Sequence, residues 1–559
     1  MPIRYLCTLL LCAVSSGVAA AQFDVVVHDG TLYDGRGGDG IVADLAIRGD
    51  RIVGIGDYDE GEAAKAVDAR GLAVAPGFIN MLSWATDSLI ADGRSQSDIR
   101  QGVTLEVFGE GMSYGPLTET TKVLLKQRQV DIRYDVAWTT LGEYLEFLEQ
   151  KGVSPNVASF VGATTVRVNE IGFANRAPNE EELSRMQAQV DQAMREGALG
   201  VGSSLIYAPA FYARTDELIA LCRVAARHGG IYISHMRSEG NRLLESVDEL
   251  IRIAEEAGLP AEIYHLKMSG QENWHKFDDV VERIEAARGR GTRITADMYT
   301  YTAGSTGLDA AMPPDVQEGG YEAWAARLRD PEIRKVVAER MRTPADDWEN
   351  LMLAAGPEST LLVGFRNEAL RKYTGRTLAE VAAERGTSPE ETAMDLVVED
   401  GSRVQVVYFL MSEDNVRKGV ALPWVSFGSD AASMAPEGVF LKQSTHPRAY
   451  GNFARVLGKY ARDERVLSLP EAIRKLTSLP AENLKLRGRG TLASGYFADV
   501  VVFDPARIRD HATYDEPHRY ATGVQHVFVN GKQVLEDGEH TGALPGRVVR
   551  GPGWVGWND

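Results

Sequence analysis

Residues 230–299 read GIYISHMRSEGNRLLESVDELIRIAEEAGLPAEIYHLKMSGQENWHKFDDVVERIEAARGRGTRITADMY. Three short apolar runs alternate in this stretch with two amphipathic helical patterns, which predicts parallel βα units. The alternation extends from NVASFVG at 156–162 to LPWVSFGSD at 422–430. Over residues 77–480 it favours an α/β fold with a TIM-like (β/α)8 barrel, and a doubly wound parallel sheet is the alternative.

Both ends of the chain have a different pattern. Residues 22–76 and 481–559 contain alternating β-branched runs separated by Gly-Asp, Asp-Gly and Asn-Gly turns, which are typical of hairpins. The two segments can pair into one small sheet domain, with a carboxyl-terminal tail after it. Residues 309–360 are rich in Pro, Asp, Trp and charge. They predict an insertion of short helices, either a lid over the barrel mouth or a passive surface excursion.

The amino-terminal residues 1–21 are typical of a cleavable signal peptide. Arg4 precedes an apolar run over 5–14, and Ala19-Ala20-Ala21 fits a cleavage site. We therefore expect a periplasmic or secreted protein; the alternative is a buried amino-terminal helix. Cleavage would leave Cys222 as the only cysteine, which excludes an intramolecular disulfide and favours a core position.

Charge and hydropathy restrict the partners. The formal net charge is -19, whereas a nucleic-acid-binding protein needs a basic face. No stretch after the signal is long and apolar enough to predict a membrane span. We expect a small-molecule partner, and the sequence gives no prediction of oligomeric state.

Polar side chains stand where several predicted strands end. His235, His265, Asp297 and Asp430 each lie at or just past the end of an apolar run, which is where a barrel places its active site. Two imidazoles there can bind one zinc ion, although either histidine alone is also compatible with a core position. Asp430 fits a base that takes a proton from a metal-activated water, or an N-cap of a following helix.

Five motifs in order carry a family resemblance: SHMRSEG, YHLKMSG, ADMYTYTAGSTGL, FGSDAA and HPRAYGNFARVLGKYAR. Together they resemble the N-acyl-D-amino-acid deacylases of the amidohydrolase superfamily. The terminal motifs DVVVHDGTLYDG and GYFADVVVFDP resemble that family's split β-sandwich. The resemblance implies a metal-dependent hydrolase that removes the acyl group from N-acyl-D-amino acids.

The resemblance also assigns roles by position. His235 and His265 match the tight zinc ligands, and Asp430 matches the catalytic aspartate. Arg448 matches the arginine that binds the substrate carboxylate, and a structural ion pair is its alternative. The remaining candidate substrate-binding residues are Lys267, as a second carboxylate donor, and Tyr207, Tyr299 and Ser305, which line the pocket or its loop.

Two departures from the family pattern concern the metal. PGFINMLSWATD at 76–87 has Leu82 and Trp84 where the family has a His-x-His pair. GVTLEVFGEGMSYGP at 102–116 has no cysteine ligand, and Glu110 falls in its place when the flanking residues are held in register. We therefore predict one zinc ion, or another divalent metal, on Glu110, His235 and His265. The alternative for Glu110 is a solvated loop carboxylate that binds no metal. Trp84 would form an apolar wall of the substrate site.

Three other functions remain open from the sequence. The same site would suit a D-amino-acid dipeptidase or an amidase acting on lipid-like N-acyl amines. Loss of the His-x-His pair is also compatible with a metal-free pseudo-enzyme that binds a ligand.

Overall fold

The computed structural model describes residues 21–557, so most of the predicted signal peptide lies outside the described residues. The first described segment forms five strands of the β domain. They are β1 (Phe23–Leu32), β2 (Ile41–Arg48), β3 (Arg51–Gly56), β4 (Ala63–Asp68) and β5 (Ala73–Pro76).

Parallel strands of a barrel follow directly. They are β6 (Phe78–Asn80), β7 (Val103–Phe108), β8 (Asn156–Ser159), β9 (Val161–Gly162), β10 (Gly200–Ser204), β11 (Ile231–His235), β12 (Ala261–Ile263) and β13 (Ile294–Met298). Short β8 and β9 act as one strand line, because β8 pairs with β7 and β9 pairs with β10. All of these pairings are parallel.

Helices lie between these strands along the chain. They are α1 (Ser88–Ala91), α2 (Gln96–Ile99), α3 (Glu119–Arg128), α4 (Leu141–Lys151), α5 (Ala163–Ile171), α6 (Glu180–Arg195), α7 (Thr215–Arg227), α8 (Leu243–Ala257) and α9 (Phe277–Gly289). Leucines, valines and isoleucines of α7 and α8 face the barrel at helical spacing and are buried. Cys222 is buried among them, as the sequence predicts.

A long excursion separates β13 from the last barrel strand. It contains β14 (Ala303–Gly307), β15 (Thr360–Gly364), β16 (Gln405–Phe409), α10 (Tyr321–Arg329), α11 (Pro331–Arg342), α12 (Leu351–Ala355), α13 (Leu378–Arg385) and α14 (Pro389–Asp400). The strands form an antiparallel sheet in the order β14-β16-β15. Side chains of this sheet and its helices enclose a separate apolar core around Trp324, Met394 and Tyr408. The excursion covers more of the chain than the predicted 309–360, because strand–helix alternation inside it resembles a barrel unit.

The chain then completes the barrel. The elements are α15 (Glu413–Ala421), β17 (Val425–Phe427), α16 (Arg448–Arg455), a π-helix over Val456–Asp463, α17 (Leu469–Leu476) and α18 (Ser478–Asn483). β17 pairs with β13 on one side. On the other side Met81 N–H donates to Phe427 O (3.2 Å) and Asp430 N–H donates to Leu82 O (2.8 Å).

These contacts close the sheet. The strand lines run β6, β7, β8–β9, β10, β11, β12, β13 and β17, and Ser83 pairs with Ala431 at the closing seam. An open doubly wound sheet would leave β6 and β17 on opposite edges, so the (β/α)8 prediction is confirmed and its alternative is wrong.

The carboxyl-terminal strands return to the β domain. They are β18 (Val500–Phe503), β19 (Val524–Val529), β20 (Lys532–Glu536) and β21 (Glu539–His540). Antiparallel pairing of β18 with β5 joins both terminal segments in one nine-stranded sheet. Apolar side chains from both segments share one core, as the split β-sandwich predicts. Asn530 and Gly531 have φ values of 48° and 74°, as a two-residue hairpin turn requires.

No helix among residues 21–557 combines the length and the apolar character that crossing a membrane would require.

Candidate metal centre and active site

The candidate residues meet at one end of the barrel. His235 is the last residue of β11, and Glu110, His265 and Asp430 follow β7, β12 and β17 by two or three residues. Trp84 follows β6 by four residues. Because parallel strands share their carboxyl-terminal edge, the loops after them bring these side chains together at the barrel mouth.

Glycines on both sides aim Glu110 into the barrel. Gly109 and Gly111 have φ values of 107° and 68°, a region that favours glycine. A Cβ at Gly109 would lie 2.5 Å from Phe160 O, and one at Gly111 would lie 2.6 Å from Ser204 Cβ. The turn is therefore packed tightly against the neighbouring strands. Glu110 is 5% exposed, so the alternative of a solvated loop carboxylate is wrong.

Glu110, His235 and His265 form a buried cluster whose donor atoms converge. Glu110 Oε1 lies 3.1 Å from His235 Nδ1 and 3.1 Å from His265 Nε2. One donor atom from each residue falls within 4.8 Å of the others. Tetrahedral zinc with bonds of 2.0–2.1 Å separates its ligand atoms by about 3.3 Å, so these donors fit such an ion.

Electrostatics at the cluster favour positive charge. Burial alone would raise the pKa of Glu110, but His235 and His265 outweigh it and hold that pKa well below its usual range. Burial and the Lys267 ammonium oppose protonation of His265, yet the Glu239 and Glu110 carboxylates outweigh them and raise its pKa to about 10. The same carboxylates would stabilise a divalent cation bound between the donors.

Two carboxylates lie behind the cluster: Glu239, which the sequence predictions miss, and Asp297, which they place at a strand end. Glu239 Oε1 lies 3.0 Å from His265 Nδ1, and Glu239 Oε2 lies 3.6 Å from His235 Nε2. Asp297 Oδ1 accepts the His265 backbone N–H at 2.9 Å. Such contacts orient metal-binding histidines. The spacing in SHMRSEG, with Glu239 four residues after His235, is the only sequence signal for the first of them.

The predicted role of Lys267 changes. Its Nζ lies 2.6 Å from Glu239 Oε1 and 2.6 Å from His265 Nδ1, and the side chain is buried. Lys267 therefore neutralises Glu239 beside the metal cluster, where we expected a second donor to the substrate carboxylate.

Asp430 and Arg448 form an ion pair next to the metal cluster. Asp430 Oδ2 lies 2.9 Å from Arg448 Nη2. Burial raises the pKa of Asp430, and the nearby Glu110 carboxylate raises it further. The Arg448 guanidinium lowers it, but the net shift is upward. After Asp430 the next helical residues are the 3₁₀ turn Gly438–Lys442, so the N-cap alternative is wrong.

Arg448 retains donors for a ligand. It is 2% exposed, and its Nε and Nη1 have no hydrogen-bond partner among the described residues. A buried N–H without a partner costs about 1–3 kcal/mol, which indicates a position for an anionic group beside Asp430. Both predicted roles are therefore compatible, because the guanidinium pairs with Asp430 through a different nitrogen.

The other predicted substrate residues surround this pair. The Tyr299 ring lies 4.4 Å from the Arg448 guanidinium carbon, and its hydroxyl donates to Met411 Sδ (3.6 Å). Ser305 Oγ donates to Val406 O at 3.0 Å, so its hydroxyl is used within the excursion sheet. The Tyr207 ring stands 5.3 Å from the His235 ring and is half-buried.

Trp84 is a hydrogen-bond donor in the structure, whereas the sequence predicts that it forms an apolar wall of the substrate site. Its Nε1–H lies 3.0 Å from Glu110 Oε2 and 3.1 Å from Asp430 Oδ1, while the side chain is 38% exposed. Leu82 is fully buried in the barrel core and does not line the mouth.

Comparison with known proteins agrees with this geometry. A model of the amidohydrolase family matches residues 133–535. The chain belongs to the amidohydrolase family.

Two curated relatives of this amidohydrolase come from Alcaligenes xylosoxydans xylosoxydans. A D-aminoacylase is 35% identical over 528 residues, which cover 94% of this chain and 97% of the relative. An N-acyl-D-aspartate deacylase is 33% identical over 550 residues and covers 97% of both chains.

Two solved structures are similar along nearly the whole amidohydrolase chain. One describes a binuclear metal centre in D-aminoacylase, with one-metal activation and second-metal attenuation (32% identity, TM-score 0.78, 94% of this chain and 100% of that one). The other is an N-acyl-D-glutamate deacylase from Bordetella bronchiseptica with zinc and a phosphonate inhibitor that mimics the tetrahedral intermediate (28% identity, TM-score 0.77, 95% and 100% coverage).

Proposed function

We propose that this amidohydrolase removes the acyl group from N-acyl-D-amino acids, giving a carboxylate and a free D-amino acid. The observation that carries the proposal is the buried Glu110–His235–His265 cluster directly beside the Asp430–Arg448 pair. Relatives named as D-aminoacylase and N-acyl-D-aspartate deacylase support the substrate class.

We further propose that Glu110, His235 and His265 hold one divalent ion, with zinc as the leading candidate. Two imidazoles and one carboxylate are a ligand set that zinc uses in hydrolases. The zinc complex of the N-acyl-D-glutamate deacylase supports the choice of metal. When bound, the ion would polarise the amide carbonyl and lower the pKa of an attacking water.

Asp430 supplies the proton transfers. Its raised pKa and its position beside the cluster suit a carboxylate that accepts a proton from the attacking water. The water oxygen bonds to the carbonyl carbon, and Asp430 then donates the proton to the amide nitrogen as the carbon–nitrogen bond breaks.

Arg448 orients the substrate. Its Nε and Nη1, which have no partner among the described residues, can each donate a charge-assisted hydrogen bond to the α-carboxylate of an N-acyl amino acid. With the scissile amide and the α-carboxylate both held, the side chains of a D- and an L-amino acid point to opposite sides, so the surrounding walls can accept one enantiomer and reject the other.

A substrate panel tests the proposal. It contains N-acetyl-D- and L-amino acids, a D-amino-acid dipeptide and an N-acyl amine without a carboxylate. We expect the wild type to hydrolyse the D compounds. Arg448→Ala should raise KM on them by about tenfold or more, because the substrate loses a hydrogen bond to a charged group. The carboxylate-free amide is the matched control, because Arg448→Ala should not weaken its binding. Equal turnover of L compounds, or no hydrolysis of any N-acyl-D-amino acid, would contradict the proposal.

The alternative activities gain no specific support. Leu82 faces the core, and the Trp84 N–H is directed at two carboxylates, so the apolar surface expected for lipid-like acyl amines is reduced to the exposed part of one ring.

We also propose that the protein is exported, on the signal-peptide pattern of residues 1–21. Intact-mass analysis of protein recovered from the periplasm or medium should give a chain beginning at Gln22. Recovery of the uncleaved chain in the cytosol alone would contradict export.

A further inference from the structure

We propose that Trp84 takes the place of a second divalent cation, with its indole N–H bridging Glu110 and Asp430, and that the centre therefore holds one ion. The inference rests on the proposed function for the roles of Glu110 and Asp430. It concerns Trp84, for which the family pattern offers no role, because the tryptophan stands where that pattern has a histidine.

The two carboxylates divide their oxygens in the same manner. Glu110 directs Oε1 at the two histidines and Oε2 at Trp84. Asp430 directs Oδ2 at Arg448 and Oδ1 at Trp84. Oε2 and Oδ1 therefore both approach one N–H, at 3.0 and 3.1 Å.

The Trp84 N–H lies between two carboxylates, Glu110 and Asp430, whose negative charges repel one another. A dication between them would remove the repulsion. The shared indole N–H does so with a neutral group, while Arg448 supplies the positive charge from the far side of Asp430.

The position of Trp84 is fixed by the closing seam of the barrel. Its backbone N–H donates to Ala431 O at 3.0 Å, and the preceding Ser83 N–H donates to Val107 O at 2.8 Å. The indole is therefore tied to the loop that carries Asp430 as well as to the carboxylates themselves. Displacing the ring for a metal would break its hydrogen bonds to Glu110 and Asp430, which lie in the loops after β7 and β17.

Within the described part of the chain, Glu110 Oε2 and Asp430 Oδ1 have no third converging His, Cys, Asp or Glu ligand. Leu82 is fully buried in the core, and Glu110, His235 and His265 are the single converging three-ligand cluster of His, Cys, Asp or Glu within residues 21–557. An ion near Oε2 and Oδ1 would have two carboxylate oxygens and an aromatic ring around it. Divalent zinc prefers four ligands, so two oxygens are a poor site.

A functional consequence follows. A solved D-aminoacylase is described by activation with one metal and attenuation with a second. If Trp84 stands where the second ion would bind, excess metal has no second position to fill in this chain. Its activity should then stay constant once the first ion is bound.

Metal stoichiometry tests the inference without relying on activity. Wild-type, Trp84→Phe and Trp84→His chains are stripped with a chelator, dialysed against graded Zn²⁺ and analysed for zinc per chain. We expect one ion for the wild type and for W84F at every concentration. We expect a second, weaker ion in W84H, because an imidazole nitrogen would join Glu110 Oε2 and Asp430 Oδ1. Two ions in the wild type, or one ion in W84H, would overturn the proposal.

The bridging hydrogen bond has a separate readout. W84F keeps an aromatic ring but lacks the N–H, so it should change the visible spectrum of the Co²⁺-loaded chain, since Glu110 loses a partner. We also expect about a tenfold lower kcat on whichever amide the wild type hydrolyses, the effect of one charged hydrogen bond. An unchanged Co²⁺ spectrum together with an unchanged kcat would refute the bridge. Failure of the proposed function would appear differently, as a chain that binds one ion but hydrolyses no N-acyl-D-amino acid.

Discussion

Two residues of the candidate site, His265 and Asp430, have a strained backbone conformation. His265 and Asp430 have φ values of 37° and 49°, a left-handed region that non-glycine residues seldom adopt. Each such residue costs about 1–3 kcal/mol, which the packed strand ends around it must offset. His265 and Asp430 follow their barrel strands by two and three residues, so the unusual turn redirects a side chain into the mouth.

Asp430→Asn tests the assigned base. The amide cannot accept the proton of the attacking water, so we expect kcat/KM to fall by about 10²–10⁴-fold. Zinc content should stay at the wild-type value, because Asp430 is not among the three converging ligands. Near-normal turnover in this variant would remove Asp430 from the mechanism, while loss of zinc would make it a ligand.

Glu239→Gln tests the carboxylate behind the histidines. Glu239 lies close to both ring nitrogens that face away from Glu110, and it pairs with Lys267. Removing its charge should weaken zinc binding by about 10–100-fold, as for other groups that orient metal ligands. Competition with a chromogenic chelator measures this affinity. Unchanged affinity would restrict Glu239 to neutralising Lys267.

At the scale of elements, His446 connects the start of α16 to the excursion. Its Nε2–H donates to Ala303 O on β14 (2.9 Å), and its Nδ1 accepts the Arg448 N–H (3.0 Å). The second contact requires the neutral ring, because a protonated Nδ1 cannot accept the Arg448 N–H. Burial, and then the Arg448 charge, lower the pKa of His446 well below its ordinary value.

This contact predicts a pH dependence of stability. Because the folded-state pKa is depressed, the contribution is complete above the unfolded pKa of about 6.5 and is lost as pH falls below it. Urea unfolding from pH 7 to pH 5 should show a loss of about 1.4 kcal/mol per pH unit from this group. His446→Gln isolates it, because the variant keeps every other histidine and should lose less stability over the same range. Parallel profiles for both chains would exclude His446 as a source of the effect.

Elements whose apolar residues recur at a regular spacing could be predicted from the sequence. Elements defined by pairing between strands far apart in the chain could not. The apolar runs ending at His235, His265 and Asp430 indicate parallel strands, and the closed barrel follows from their number and order. The extent of the excursion does not, because β14 pairs with β16 about a hundred residues later in the chain, and local patterns contain no register between them.

The site shows the same division. Strand ends predicted His235, His265, Asp297 and Asp430, since their position depends on the barrel alone. Glu110 was predicted from its register with the family's cysteine turn. The Lys267–Glu239 pair and the Trp84 bridge depend on side-chain directions across three or more loops, which residue spacing does not specify. For this reason Lys267, which we expected to bind the substrate, pairs with Glu239. Trp84, which we expected to form an apolar wall, donates a hydrogen bond to two carboxylates.

At the scale of the whole molecule, metal binding should contribute to stability. The ligands come from β7, β11 and β12, so they converge only when the barrel is closed. A ligand that binds only the folded chain stabilises it by about 4 kcal/mol at a thousandfold excess over its Kd. Zinc-loaded protein should therefore unfold at a higher temperature than chelator-treated protein. Glu110→Gln should reduce this difference, and an equal Tm with and without zinc would argue against a folded-state metal site.

The one-ion site is tested most directly by titrating the metal-free chain with zinc while following hydrolysis of an N-acetyl-D-amino acid. We predict that activity rises linearly, reaches its maximum at one ion per chain and then stays constant, because Glu110, His235 and His265 hold the single catalytic ion and Trp84 takes the second position. A maximum at two ions, a decline beyond one ion, or no activity at any ratio would contradict the account.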